Sequence, residues 1–311
     1  MDITPFIDYL RLEKNYSEHT ILAYERDIEE FSAFAKSTLG DSRPSGEQSV
    51  KAHYEQNNIN TIHYSQIRNW IVELVENGIT NRTINRKVSS LKAYYKFLLK
   101  IGTIDISPLV KHKALKTPTK IQVPFSQKEV ADVIERLQAG DDFESLRNLL
   151  VVELLYSTGM RRAELIGLTL ESVDHSQGLI KVLGKRNKER NIPLLPKVQE
   201  TLNAYLLERN ALASSSNKDP LIITKKGVKI YDVLVYRIIN HYFSEASNKL
   251  KVSPHIVRHS FATHLLNEGA DLNIVKELLG HASLASTQVY THNSIAALKD
   301  VYRNAHPRNK K

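Results

Sequence analysis

Residues 103–124 show no hydrophobic period, and this break constrains the fold more than any other stretch. Pro108, Pro118 and Pro124 remove backbone donors and fix φ, while Lys111, Lys113, Lys116 and Lys120 add charge that a core cannot accept unpaired. On either side, apolar residues recur mostly three to five positions apart, the pattern of helices with one buried face. With 311 residues and 41% hydrophobic content, the chain can fill two separate cores. The expectation is a mainly α protein: a helical domain over 1–105, an extended linker over 106–124, and a second domain over 125–311.

The first domain reads as helices. Ser17-Glu18-His19-Thr20 precedes Ile21, Leu22, Tyr24, Ile28, Phe31 and Phe34, an amphipathic run that fades near Leu39. Residues 40–60 are polar and rich in turn formers, a loop with room for one short helix. A second helix is expected over Tyr64–Glu76, ending at Asn77-Gly78, and a third over Asn81–Lys100. This third helix carries Ile84, Val88, Leu91, Tyr95 and Leu98 on one face, and Arg82, Thr83, Asn85, Arg86, Lys87 and Lys92 on the other. Such a basic face is either a solvated surface or a helix laid in a nucleic-acid groove. A net charge of +9 favours a polyanionic partner. The absence of cysteine excludes disulfides and thiolate chemistry. With no apolar run of membrane-spanning length and no signal-type start, the expected setting is cytoplasmic.

In the second domain, Ser126 and Glu129 form a capping box, and Leu146–Ser157 is strongly apolar. Gly159 marks a turn, and the helix resumes over Ala163–Leu168, so Arg161 sits near a helix start. Gly178–Gly184 and Arg190–Leu195 alternate as two short strands around the cationic turn Lys185–Arg190. Ser253-Pro254 is an N-cap followed by proline at the first helical position. His255 and Arg258, three apart, share a face near that helix start, where backbone N–H groups favour a phosphate. Asp271 caps a second helix that runs to Leu279 and stops at Gly280; His281 and Tyr290 follow. Read singly, each of these residues is a surface group or a cap.

As an ordered set, His255, Arg258, His281 and Tyr290 resemble the C-terminal signature of the tyrosine recombinase (phage integrase) family, nearest its Xer branch. The run NRTINRKVSSLKAYYKFLL and the stretch Ser17–Asp27 resemble that family's core-binding domain. The resemblance implies a SAM-like helical domain and a catalytic domain with a small antiparallel sheet, closing as a C-shaped clamp on DNA. It assigns Arg161 and Arg258 to the scissile phosphate, Glu164 to supporting the site, and His255 and His281 to hydrogen bonding and proton relay. Tyr290 is then the nucleophile, and Lys185 of the β-hairpin the acid for the leaving oxygen. Lys188 is the alternative to Lys185, because Arg186 stands where many relatives carry a second glycine.

The same resemblance implies DNA contacts from Arg82, Thr83, Asn85, Arg86 and Lys87, and no metal or other cofactor. The partner would be double-stranded DNA with a specific recombination site, held by a homo- or hetero-tetramer that passes through a Holliday junction. A tail containing Ile295, Leu298 and Val301 would dock on a neighbouring protomer or pack in cis. Chromosome dimer resolution and mobile-element integration or excision are both compatible roles, with a regulatory protein as a further partner. A type IB topoisomerase-like relaxing enzyme and a catalytically silent DNA-binding protein are the rival readings.

Overall fold

The computed structural model describes residues 3–39, 62–118, 122–184, 188–212, 220–247, 252–280 and 306–307. The expected 40–60 loop, the tail helix around Ile295–Val301, Lys185, His281 and Tyr290 lie outside these. The chain divides into two compact units, Met1–Lys120 and Ile121–Lys311.

The first unit is helical. α1 (Thr4–Asp8) runs into a π-helical turn over Tyr9–Glu13, followed by α2 (Glu18–Leu39), α3 (Tyr64–Glu76) and α4 (Asn81–Lys100). Thr80 caps α4 by accepting from the Thr83 N–H, and the His63 N–H donates to Gln66 Oε1 at the start of α3. Phe6, Ile28, Phe31, Trp70, Ile84, Leu91 and Tyr95 are buried in one core. Beside it lies Asp27 of α2, 2% exposed, which accepts two bonds from Arg86 at 2.5 and 2.8 Å and one from Ser90 at 2.7 Å. A carboxylate this buried persists only when paired and hydrogen-bonded, which ties α2 to α4.

The segment after α4 is held to the same unit as far as Lys116. Leu109 is buried in its core. Asn85 clasps residue 115 from both sides, donating to its carbonyl at 2.8 Å and accepting from its N–H at 2.9 Å. Asn81 donates to the Lys116 carbonyl. These amides supply an extended chain with the backbone partners that a helix would have supplied internally.

The second unit begins with α5 (Gln127–Gln138), whose capping box forms as expected: Ser126 Oγ accepts from the Glu129 N–H and Glu129 Oε2 accepts from the Ser126 N–H. α6 (Phe143–Thr158) is capped by Asp142 and is buried over most of its surface, with α5, α8 and α10, described below, packed around it. It ends at Gly159 in the left-handed region, φ 61°. A Cβ there would lie 2.3 Å from Phe261, so only glycine fits.

α7 (Arg162–Gly167) and a single 3-10 turn lead into a three-stranded antiparallel sheet, β1 (Val173–Asp174), β2 (Leu179–Leu183) and β3 (Glu189–Pro193), in that order. The two longer strands match the alternation in the sequence; β1, only two residues long, carries no readable period. In the β2–β3 register Ile180 faces Ile192 and Val182 faces Arg190. α8 (Pro196–Leu212), α9 (Asp232–Ala246), α10 (Pro254–Asn267) and α11 (Leu272–Leu279) complete the unit. Ser253 occupies the cap position of α10, but its carbonyl, not its hydroxyl, takes the Ile256 and Val257 N–H groups. Asp271 caps α11 through the N–H groups of Asn273 and Ile274.

Under α10, His264 Nδ1 lies 2.9 Å from the Tyr156 hydroxyl, and burial pushes the imidazole below its usual range. His306 is fully buried nearby, its ring 5.4 Å from that of Tyr156 and 6.0 Å from that of Phe261. His306 therefore seats in the second unit of its own chain.

Candidate active site

Three guanidiniums and one carboxylate converge where α6, α7, α10, α11 and β3 meet. Arg161 is the N-cap residue of α7, in extended backbone immediately after Gly159-Met160. Glu164, one turn on, accepts from the Arg161 N–H at 2.7 Å and from Arg161 Nη1 at 2.7 Å. Its two oxygens also accept from Arg190 Nη1 at 3.2 Å and Nη2 at 2.8 Å. Arg190 Nε in turn donates to the Leu278 carbonyl at 2.9 Å. Arg258 Nη1 donates to the Gly159 carbonyl at 2.5 Å and Nη2 to the Leu279 carbonyl at 2.8 Å. The C-terminal carbonyls of α6 and α11 are thus held by cations, the charge their dipoles favour.

The electrostatics follow from this crowding. Burial would raise the Glu164 carboxyl, but hydrogen bonds from Arg190 and Arg161 together with the Arg190 charge bring it below the ordinary glutamate range. Burial first, and the neighbouring Arg161 charge second, push Arg258 down to about 10. It stays charged at neutral pH at a cost that an incoming anion would relieve. Arg161 keeps 28% of its side chain exposed, so the cluster is a partly open positive pocket. His255 stands exposed in the first turn of α10, three residues before Arg258.

Lys185 and His281 follow directly on residues that border this cluster. A Cβ at Gly184 would lie 3.5 Å from Arg190 Nη1 and 3.6 Å from Glu164 Oε1; one at Gly280 would lie 3.0 Å from Arg190 Nη1. Gly280 also has φ 63°, so a side chain there would be strained as well as crowded. Among the described residues, no group of three His, Cys, Asp or Glu is placed to hold a metal ion, and no helix is long and apolar enough to cross a membrane.

Arg190 is the residue of this cluster that the sequence reading passes over, because it closes the cationic turn Lys185–Arg190 and looks like one more solvated charge. Its parity is the available signal: it alternates with Ile192 and Leu194, both buried, on the inward side of β3.

The α4 face expected to meet DNA is partly internal. Arg82 is exposed, and Thr83 Oγ1 lies 3.0 Å from Thr80 Oγ1. Asn85 is engaged by residue 115, Arg86 by Asp27, and Lys87, 9% exposed, pairs with Glu30 and Asp27. The acidic partners belong to α2, so the pattern of α4 alone could not reveal them.

Comparison with known proteins decides the family. Residues 125–296 match the Phage integrase family, and residues 3–44 and 47–102 match the Phage integrase N-terminal SAM-like domain. The chain belongs to the phage integrase family. It is a tyrosine recombinase, similar to the tyrosine recombinase XerC of Thermodesulfovibrio yellowstonii, with 37% identity covering 99% of this chain and 97% of that one. It is 38% identical to XerC of Anoxybacillus flavithermus, covering 97% and 96%, and 35% identical to XerC of Bacillus subtilis, covering 97% and 95%. The fold is shared with XerH site-specific recombinase bound to difH substrate (TM-score 0.64, 20% identity, 96% and 90% covered). It is also shared with a lambda integrase dimer bound to a core site (TM-score 0.62, 16% identity, 93% and 100% covered).

Proposed function

We propose that this recombinase cuts and rejoins double-stranded DNA at a specific recombination site through a 3′-phosphotyrosyl intermediate. The observation that carries the reading is the pair Arg161 and Arg258, two fixed guanidiniums in a partly open pocket, with a buried carboxylate and helix-end carbonyls holding them. A phosphodiester gains negative charge on its non-bridging oxygens as it is attacked, and preorganised cations stabilise that charge without reorganising. Two guanidinium forks match those oxygens and stay charged at working pH.

In this mechanism the Tyr290 oxygen attacks phosphorus as its proton passes toward His255, since a phenol of pKa about 10 needs such help. The phosphorus–5′-oxygen bond breaks, and Lys185 gives the departing oxygen its proton. His281 donates a hydrogen bond to the phosphate. The phosphotyrosyl ester keeps the bond energy, so a 5′-hydroxyl from a second duplex can reverse the step without ATP. Exchange in pairs within a tetramer then passes through a Holliday junction. The DNA-bound states of XerH and lambda integrase support DNA as the partner, and exposed Arg82 adds a phosphate contact.

The test uses DNA duplexes selected for binding, each nicked near the candidate site so that cleavage releases a short fragment. Wild type is expected to form a covalent adduct resistant to denaturation, and Tyr290→Phe to bind equally well and form none. An adduct with the phenylalanine variant, or no adduct with wild type on any tightly bound duplex, would overturn the reading.

A further inference from the structure

We propose that Arg190 is a positioning residue for strand transfer: one guanidinium that aligns the Arg161 clamp, the β2–β3 hairpin and the end of α11 with one another. The inference rests on the strand-transfer reading above. Arg190 does not touch the phosphate in this scheme, because its side chain is only 7% exposed and its bonds point inward. Two of its nitrogens grip Glu164, which holds Arg161; its third takes the Leu278 carbonyl at the last turn of α11.

Both chain segments that carry further members of the site start against it. A methyl group at Gly280, next to His281, would crowd Arg190 Nη1 at 3.0 Å, and one at Gly184, next to Lys185, would lie in ordinary contact with it at 3.5 Å. The side chain therefore packs beside both backbones, closely against Gly280, and braces the clamp.

Arginine is required for this by shape. The planar fork reaches both oxygens of Glu164 while Nε reaches the Leu278 carbonyl on another element. Lysine keeps the charge but cannot make all three bonds in fixed directions. With the fork gone, Glu164 is left wholly to Arg161 and competes with the phosphate for that guanidinium. Small displacements of positioning groups are costly: about 1 Å of misplacement lowers a rate by about 100-fold.

The experiment compares wild type, R190K, R190M, E164Q and R190K/E164Q on the nicked duplex, with binding and single-turnover cleavage measured separately. R190K is expected to bind DNA as wild type does and to cleave about 100-fold more slowly. The R190K/E164Q protein should be no slower than the worse single variant, since the two residues act as one. On a duplex whose scissile phosphate is a neutral methylphosphonate, the R190K defect should shrink, because the Arg161 clamp then has less charge to stabilise. A residue that only supported the fold would lower cleavage of both duplexes equally, and that outcome overturns the proposal. So does an R190K protein that cleaves at the wild-type rate.

If R190M does not fold, R190K, which keeps a cation in the pocket, carries the comparison. A sulfate titration separates the two levels of the argument. Sulfate should raise the melting temperature of wild type through the open guanidinium pocket, and R190K should lose most of that rise even if no duplex yields an adduct. An unchanged sulfate response in R190K overturns the positioning role; a missing adduct with the sulfate effects intact overturns only the strand-transfer reading.

Discussion

Glu164→Ala removes the carboxylate on which two guanidiniums depend, and its cost can be worked from their burial. Arg161, 28% exposed, can turn toward water and loses little. Arg190, 7% exposed against 5% for Glu164, cannot, and is left as a buried cation without its counter-charge. Breaking a buried pair from one side costs about 3–5 kcal/mol, a large part of a typical total of about 5–15 kcal/mol. Removing both charges, in Glu164→Ala/Arg190→Met, eliminates the stranded cation. The Leu278 carbonyl then loses a partner at about 1 kcal/mol, yet the double variant should still be more stable than Glu164→Ala alone. The assay is urea unfolding followed by helical circular dichroism. Trp70 is the only tryptophan and lies in the other unit, so its fluorescence provides an internal reference. The Glu164 carboxyl titrates below its ordinary value of 4.5 when folded. Its contribution is therefore complete above that pH and is lost only as pH falls through the lower folded value. A loss below about 1 kcal/mol in Glu164→Ala, or a double variant as unstable as the two singles added, would refute the reasoning.

Three further outcomes are expected. Gly159→Ala places a methyl group 2.3 Å from Phe261 at a left-handed position and should lower stability by more than about 1 kcal/mol in thermal melts. Because Arg258 bonds the Gly159 carbonyl, adduct yield should fall with it; a fully active, equally stable variant would contradict the geometry. Burial holds His264 below its ordinary 6.5, so the unfolded chain takes up its proton first, and wild type should lose stability as pH falls below that value. His264→Gln should flatten this slope in pH-dependent denaturation. Arg82→Ala should weaken DNA binding evenly across sequences and reduce the slope of log affinity against log salt by about 1, measured by titrations at several ionic strengths.

What was legible in the sequence is what is decided locally. The capping box at Ser126 and Glu129, the Asp271 cap, and the stops at Gly159 and Gly280 depend on residues within one turn of each other, and all four form as read. The alternation over 178–184 and 190–195 is enough to read two short strands around a turn, and residues 179–183 pair with 189–193. The sequence is silent where a distant element decides. The pattern of α4 gives no sign that Lys87 pairs with Asp27 and Glu30 of α2. Residues 106–124 read as an extended linker, and nothing in their own composition shows that Asn81 and Asn85 take the carbonyls of residues 116 and 115. Arg190 reads as a turn cation until Glu164, Leu278 and Gly280 close around it. Of the proposed catalytic set, Arg161 and Arg258 are brought together with Glu164, and His255 is placed on the same helix as Arg258.

His306 seats against Tyr156 and Phe261, in the same unit whose α11 ends at Gly280, so the residues on either side of 281–305 belong to one unit. Gly280 is anchored through the end of α11, and Tyr290 stands about ten residues beyond it, within a contour of at most about 35 Å. A reactant on a short tether is presented to its target at an effective concentration in the millimolar range, whatever the bulk protein concentration. Under the proposed strand-transfer chemistry, a Tyr290 phenol acting in its own unit would be such a local reagent, and dilution would slow the assembly of complexes without slowing the attack inside one.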